Sequence, residues 1–160
     1  MAHSLSRRSV NYQLVEVTQN SELWSGGDPV RPELSVEFRT APGRGVYGLV
    51  EGDTFLAFLC YAKTTAVPED TDQLDNLTSE MGSIVIPYTV WSLQKGCGRI
   101  IIQKVLDMAR GSNSIDRVVT LSPKTEMARK FHESNGAKLI HESLWANNFE
   151  YFIRHGPEDE

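Results

Sequence analysis

SIVIPYTVWSLQKGCGRIIIQKVLDMARG, residues 83–111, is the stretch on which the fold turns. Its first nine residues are rich in β-branched and aromatic side chains, the composition of a strand. The three isoleucines after Arg99 invite a second strand. However, Ile101, Val105 and Met108, with Ile102, Leu106 and Ala109 beside them, recur at the spacing of a broad apolar stripe on a helix. Gly111 stands where that helix would end. A strand therefore runs through a glycine-bearing turn into a long helix, which predicts a right-handed crossover to a parallel neighbour.

Working outward, RVVTLS (117–122) is the strand that receives the crossover. A short helix over PKTEMARKFHESN and two closing strands, in AKLIHES and NNFEYFIR, follow it. Upstream, NYQLVEVT (11–18) reads as a first strand, and 45–51 with 54–63 as a hairpin around Gly52-Asp53. The proline- and glycine-bearing segment between them supports two short helical pieces, around Glu22–Trp24 and Pro32–Arg39. VPEDTDQLDNLTSEMG reads as a polar surface loop. The expectation is an α/β (α+β) protein with a mixed sheet packed by helices. Residues 10–154 are expected to form a single domain, with flexible ends at 1–9 and 155–160.

The totals exclude several functions. With 16 Lys and Arg against 21 Asp and Glu, the net charge of −5 offers no basic face for a nucleic-acid backbone. Arg7 and Arg8 are the one dense basic pair, and the plain reading is solvated charge. Cys60 and Cys97 lack C-x-x-C spacing, so neither a zinc site nor a disulfide framework is expected, and a reducing cytoplasm suits the chain. The longest apolar run, LAFLCYA, is too short to cross a bilayer, so a soluble protein with no membrane partner is expected. Oligomeric state is not legible in the residues, and a homodimer stays open.

Two places carry chemistry. In the turn Leu93, Gln94, Lys95, Gly96, Cys97, Gly98, Arg99, two small residues precede a helix whose first N–H groups have no intrahelical partner, which suits an anion. A tight connection without a ligand would use the same glycines. There is no G-x-x-x-x-G-K-[ST] run, and Ile101 occupies the third glycine position of a dinucleotide fingerprint. Cys97, near the helix start, has the position that lowers a thiol pKa, although a small spacer between glycines explains it better.

The second place is the helix that carries His132, a group able to exchange a proton near neutral pH or simply to pack at a helix rim. Ser122 reads as the N-cap of that helix, with Pro123 at its first position, or as a hydroxyl beside His132. Thr120 lies two residues earlier, on the same strand face as Ser122. His141 reads as packed or facing water, and Trp91 as core or as a channel wall.

The strand-turn-helix unit and the later FHESNGAKL resemble the GNAT superfamily of acyl-CoA-dependent acyltransferases, over roughly residues 45–153. In that family the turn reads [QR]-x-x-G-x-[GA]; Gly96 and Gly98 match, while Leu93 stands at the usual Gln or Arg and Gln94 follows it. The family's Asn-x-x-Ala-x-x-[LF]-Tyr becomes Thr125, Ala128, Phe131 and His132 here, with Gly136 matching the glycine beyond. The resemblance implies a GNAT-like three-layer α/β/α fold with a mostly antiparallel sheet. It implies acetyl-CoA or another acyl-CoA as co-substrate, no metal, and transfer to a small-molecule or peptide acceptor by direct attack. The residues it assigns to the coenzyme are Val90, Trp91, Leu93, Gln94, Lys95, Gly96, Cys97, Gly98, Arg99 and Thr125, with His132 in the place of the family's tyrosine and handling the proton. Residues 88–152 are also similar to the C-terminal segment of the malonyl-CoA decarboxylases, which contain Leu-Ser-Pro and Phe-His-x-x-Asn-Gly-Ala. That second resemblance implies a lyase using Ser122 and His132. Loss of the family's tyrosine and asparagine leaves a third reading, a binding protein without turnover.

Overall fold

The computed structural model describes residues 11–154. The expected flexible ends, and Arg7 and Arg8, lie outside the described residues.

Seven strands form one sheet in the order β1-β2-β3-β4-β5-β7-β6. β1 (Tyr12–Glu16), β2 (Arg44–Glu51), β3 (Thr54–Thr64) and β4 (Ile84–Ser92) pair antiparallel in succession. α3 (Cys97–Arg110) then carries the chain to β5 (Arg117–Val119), which pairs parallel to β4. The hairpin β6 (Lys138–Glu142) and β7 (Asn147–Tyr151) completes the sheet, with β7 inserted between β5 and β6. The expected mixed, mostly antiparallel sheet and its one parallel crossover are both observed.

Strand alternation divides the core between two faces. Leu49, Leu59 and Val85 meet the Ile101, Ile102, Val105 and Leu106 stripe of α3 on one face, with Phe131 from α4 (Glu126–Ser134) packed beside them. On the other, Val46, Phe58, Cys60 and Ile86 pack with Trp24, with Phe38 of α1 (Val36–Thr40), and with Leu74 of α2 (Thr71–Leu77). Two helical layers thus cover one sheet.

Two expectations need correction. The stretch after Val67 is not all loop, because α2 forms within it: the Asp70 side chain accepts the Gln73 N–H and the Gln73 side chain returns to the Glu69 N–H. The helix bearing His132 begins later than expected. Its N-cap is Thr125, whose Oγ1 accepts the Ala128 N–H at 3.1 Å, so Ser122 caps nothing.

The feature that makes room for a ligand lies between β4 and β5. The register of β4 against β3 slips between Cys60 and Tyr61, where Thr89 and Pro87 are the partners and Tyr88 is left as the extra residue. β5 pairs with β4 only at Ile84–Arg117 and Val85–Val118; the last link is the Leu121 N–H to the Pro87 carbonyl, at 3.2 Å. Beyond it the two chains part.

Candidate active site

A cleft of about 350 Å³ opens where β4 and β5 separate. Val90 and Trp91 of β4 line one side, Gly98 of α3 the near end, and Ser122, Thr125 and His132 the opposite wall. Pro29 and Val30, from the loop before α1, also line it. Its lining holds no carboxylate, lysine or arginine, and His132 is its one imidazole.

His132 is buried, with its ring against Phe131, Phe149 and Tyr151. Its Nδ1 lies 2.7 Å from the Tyr151 hydroxyl. Tyr151 is buried too, and its hydroxyl has no other hydrogen-bond partner among the described residues. The arrangement that leaves no buried donor idle has Tyr151 O–H donating to Nδ1, which places the imidazole proton on Nε2. Burial lowers the His132 pKa to about 4 and raises that of Tyr151. Both side chains are therefore neutral at pH 7, and His132 is a hydrogen-bond donor through Nε2.

Ser122 is also buried, and its Oγ lies 2.7 Å from Thr120 Oγ1, confirming that the two share a face. Thr120 Oγ1 already accepts the Phe149 N–H at 3.1 Å. With the Thr120 hydroxyl donating to Ser122, the Ser122 proton is available to the cleft. Backbone bonds to Asn147 in both directions hold Ser122 in place. No hydrogen bond joins Ser122 to His132 among the described residues; each is fixed by a separate partner and both face the same space.

The turn contributes differently. Gly96 has φ 88°, the left-handed region in which only glycine is at ease, and it caps α3. The Cys97 N–H bonds the Gln94 carbonyl and the Ile100 N–H the Gly96 carbonyl. The Gly98 and Arg99 amides, in the first turn of the helix, find no carbonyl there. A Cβ on Gly98 would sit 3.2 Å from the Phe131 ring, so this glycine also serves close packing.

Of the residues singled out from sequence, Val90, Trp91, Gly98, Ser122, Thr125 and His132 come together on the cleft. Leu93, Gln94, Lys95 and Gly96 are exposed in the turn between Ser92 and Gly98, and Arg99 is exposed on the first turn of α3. Cys97 points into the core beneath, where burial and then Glu51 raise its pKa, the reverse of the expected lowering. Trp91 is buried against Phe58 and also lines the cleft. His141 is exposed, 3.2 Å from a Glu69 carboxylate oxygen. Among the described residues no group of three His, Cys, Asp or Glu is placed to hold a metal, and no helix is long and apolar enough to cross a membrane.

Tyr151 escaped the sequence reading. The alternation in NNFEY puts Phe149 and Tyr151 on one face, which was a usable signal, but nothing local says that this face meets His132.

No protein-family profile matches this chain, and no curated protein does. Solved structures do match. The loading GNATL domain of CurA from Lyngbya majuscula superposes with a TM-score of 0.68 at 13% identity, covering 89% of this chain and 98% of that one. The GphF GNAT-like decarboxylase in complex with isobutyryl-CoA gives the same score and identity, over 89% of this chain and all of that one, 100%. Malonyl-CoA decarboxylase from Agrobacterium vitis gives 0.54 at 20% identity, over 81% of this chain but only 38% of its own. The chain has a GNAT-like fold.

Proposed function

We propose that the cleft binds an acyl-CoA and that the protein decarboxylates a short β-carboxyacyl thioester of the malonyl type. The observation that carries this reading is that two buried polar side chains, Ser122 and His132, line one cleft that has no charged side chain in its lining. The decarboxylases among the similar folds, one of them bound to isobutyryl-CoA, support the choice.

The chemistry follows from those groups. A carboxylate moved from water into an apolar space is destabilised relative to carbon dioxide, which carries no charge. The Ser122 hydroxyl and His132 Nε2–H orient it. The bond from Cα to the carboxyl carbon breaks, its electron pair moves into the thioester as an enolate, and carbon dioxide leaves. A backbone N–H of β4 facing the cleft would hold the enolate oxygen, as an oxyanion site does. A proton from water then reaches Cα, so malonyl-CoA and one proton become acetyl-CoA and carbon dioxide. His132 stays neutral throughout, which suits a group whose conjugate acid is as strong as its burial makes it. The same burial makes it a weak base, because a general base works best with a pKa near the working pH.

The second reading is transfer of an acetyl group to an amine or similar acceptor. One observation favours it: Met127, on the cleft wall, is 83% exposed, so the mouth is open enough to admit an acceptor. Incubation with malonyl-CoA and no acceptor separates the two readings. Release of acetyl-CoA, abolished in both Ser122→Ala and His132→Ala, is the result expected. Inert malonyl-CoA, with acetyl-CoA consumed only when amines are added, would overturn decarboxylation in favour of transfer.

A further inference from the structure

The loop before α1 carries two buried charges that are used differently. Asp28 Oδ1 accepts the N–H groups of Val30 and Arg31 at 2.8 and 3.1 Å. Its Oδ2 accepts Arg39 Nη1 at 2.7 Å and the Thr89 hydroxyl at 2.9 Å. Asp28 is thus paired with Arg39 and clips the loop to β4. Arg31, only 9% exposed, turns elsewhere: Nε donates to the Tyr88 carbonyl and Nη2 to the Leu121 carbonyl, both at 2.8 Å. One of these carbonyls belongs to the extra residue of β4 and the other to the chain beyond β5. The guanidinium therefore spans the gap just past the last backbone link between the strands.

Residues on either side of that point line two different cavities. Pro29, Val30 and Ser122 line the cleft, whereas Arg31, Leu121, Asp72 and Trp145 line a second, polar cavity of about 380 Å³. Val30 and Arg31 are consecutive, as are Leu121 and Ser122, yet the members of each pair face different cavities. The Arg31 side chain bonds Tyr88, which lines the cleft, and Leu121, which lines the second cavity, so it joins the two linings. Its planar fork holds the two carbonyls at a set separation, which a lysine, with one ammonium, does not reproduce.

We propose that Arg31 is a positioning residue that closes the inner end of the cleft against the second cavity and so restricts the acyl group to a short chain. This rests on the acyl-CoA reading above. Removing the partition would join the two spaces and relax the limit on length.

The test is calorimetric titration of the full chain with coenzyme A, acetyl-CoA, butyryl-CoA and octanoyl-CoA. The unmodified protein should bind octanoyl-CoA roughly tenfold or more weaker than acetyl-CoA, the scale on which a closed apolar site rejects extra methylenes. Arg31→Ala should shrink that preference to about threefold or less while leaving coenzyme A affinity unchanged, a split that general loosening of the fold would not produce. Arg31→Lys, keeping bulk and charge, should fall between. If Arg31→Ala does not fold, Arg31→Met and Arg31→Lys carry the comparison. A folded variant that binds coenzyme A normally and keeps the full preference overturns this inference alone. An unmodified protein that binds no thioester overturns the acyl-CoA reading and this one with it.

Discussion

The wall that carries Ser122 and His132 and the turn that carries Gly96 and Gly98 approach one cleft by opposite means. The wall presents side chains, buried and each held by its own partner, Thr120 for Ser122 and Tyr151 for His132. The turn presents backbone: its side chains from Leu93 to Lys95 point into solvent, and what it offers is the unbonded amides of Gly98 and Arg99. A site made of side chains depends on residue identity. One made of backbone depends on shape, and is indifferent to which side chain stands at a solvent-facing position such as Leu93 so long as the glycines remain.

That contrast can be broken in several places. The largest effect is expected on the wall: His132→Ala should cut turnover by roughly 100-fold or more, the range for losing one positioned hydrogen-bond donor, with coenzyme A affinity unchanged. Steady-state kinetics beside calorimetry would show the split.

The same burial predicts a pH dependence of stability. The folded pKa of His132, about 4, lies below its ordinary 6.5, so between those values the unfolded chain binds the proton that the folded one refuses. The sign is therefore loss of stability as pH falls from about 6.5 to 4, approaching roughly 3 kcal/mol at the lower end. Denaturant titrations across that window should show it, and a His132→Phe variant should lose that contribution to the slope.

On the turn, Gly98→Glu should weaken acyl-CoA binding by about tenfold or more, since it adds bulk against Phe131 and an anion where one is to bind. Tyr151→Phe should lower turnover by about tenfold, the low end for losing an orienting partner, because His132 keeps its ring. The smallest change belongs to Gly96→Ala. Nothing lies within 4 Å of the added Cβ, so the cost is backbone strain alone, about 1–2 kcal/mol in denaturant titration.

Legibility in the sequence follows the same division. The β4–α3 unit is legible because its two periods are local, whereas Ser122 and His132 stand out only through the resemblance of LSP and FHESNGA to known motifs. α2 was missed because its seven residues are polar and bury only Leu74; the reciprocal signal of Asp70 and Gln73 was present and went unread. Ser-Pro at 122–123 has the form of a helix start, yet the helix begins only after its cap at Thr125, which leaves Ser122 the second of its two readings, a hydroxyl on the cleft. The partners that define the site lie far along the chain. Tyr151 is 19 residues from His132, and Arg31 reaches carbonyls 57 and 90 residues away. No local pattern encodes such contacts, which only the sheet order assembles.

The central claim is that wall and turn serve one ligand. A crystal structure with the thioether S-(2-carboxyethyl)-coenzyme A, in which a methylene replaces the thioester carbonyl so that the carboxylate cannot be lost, tests this most directly. The account predicts the pyrophosphate against the amides of Gly98 and Arg99, and the carboxylate within hydrogen-bond distance of Ser122 Oγ and His132 Nε2. An analogue bound with its carboxylate turned away from both, or with its pyrophosphate off the turn, would contradict it.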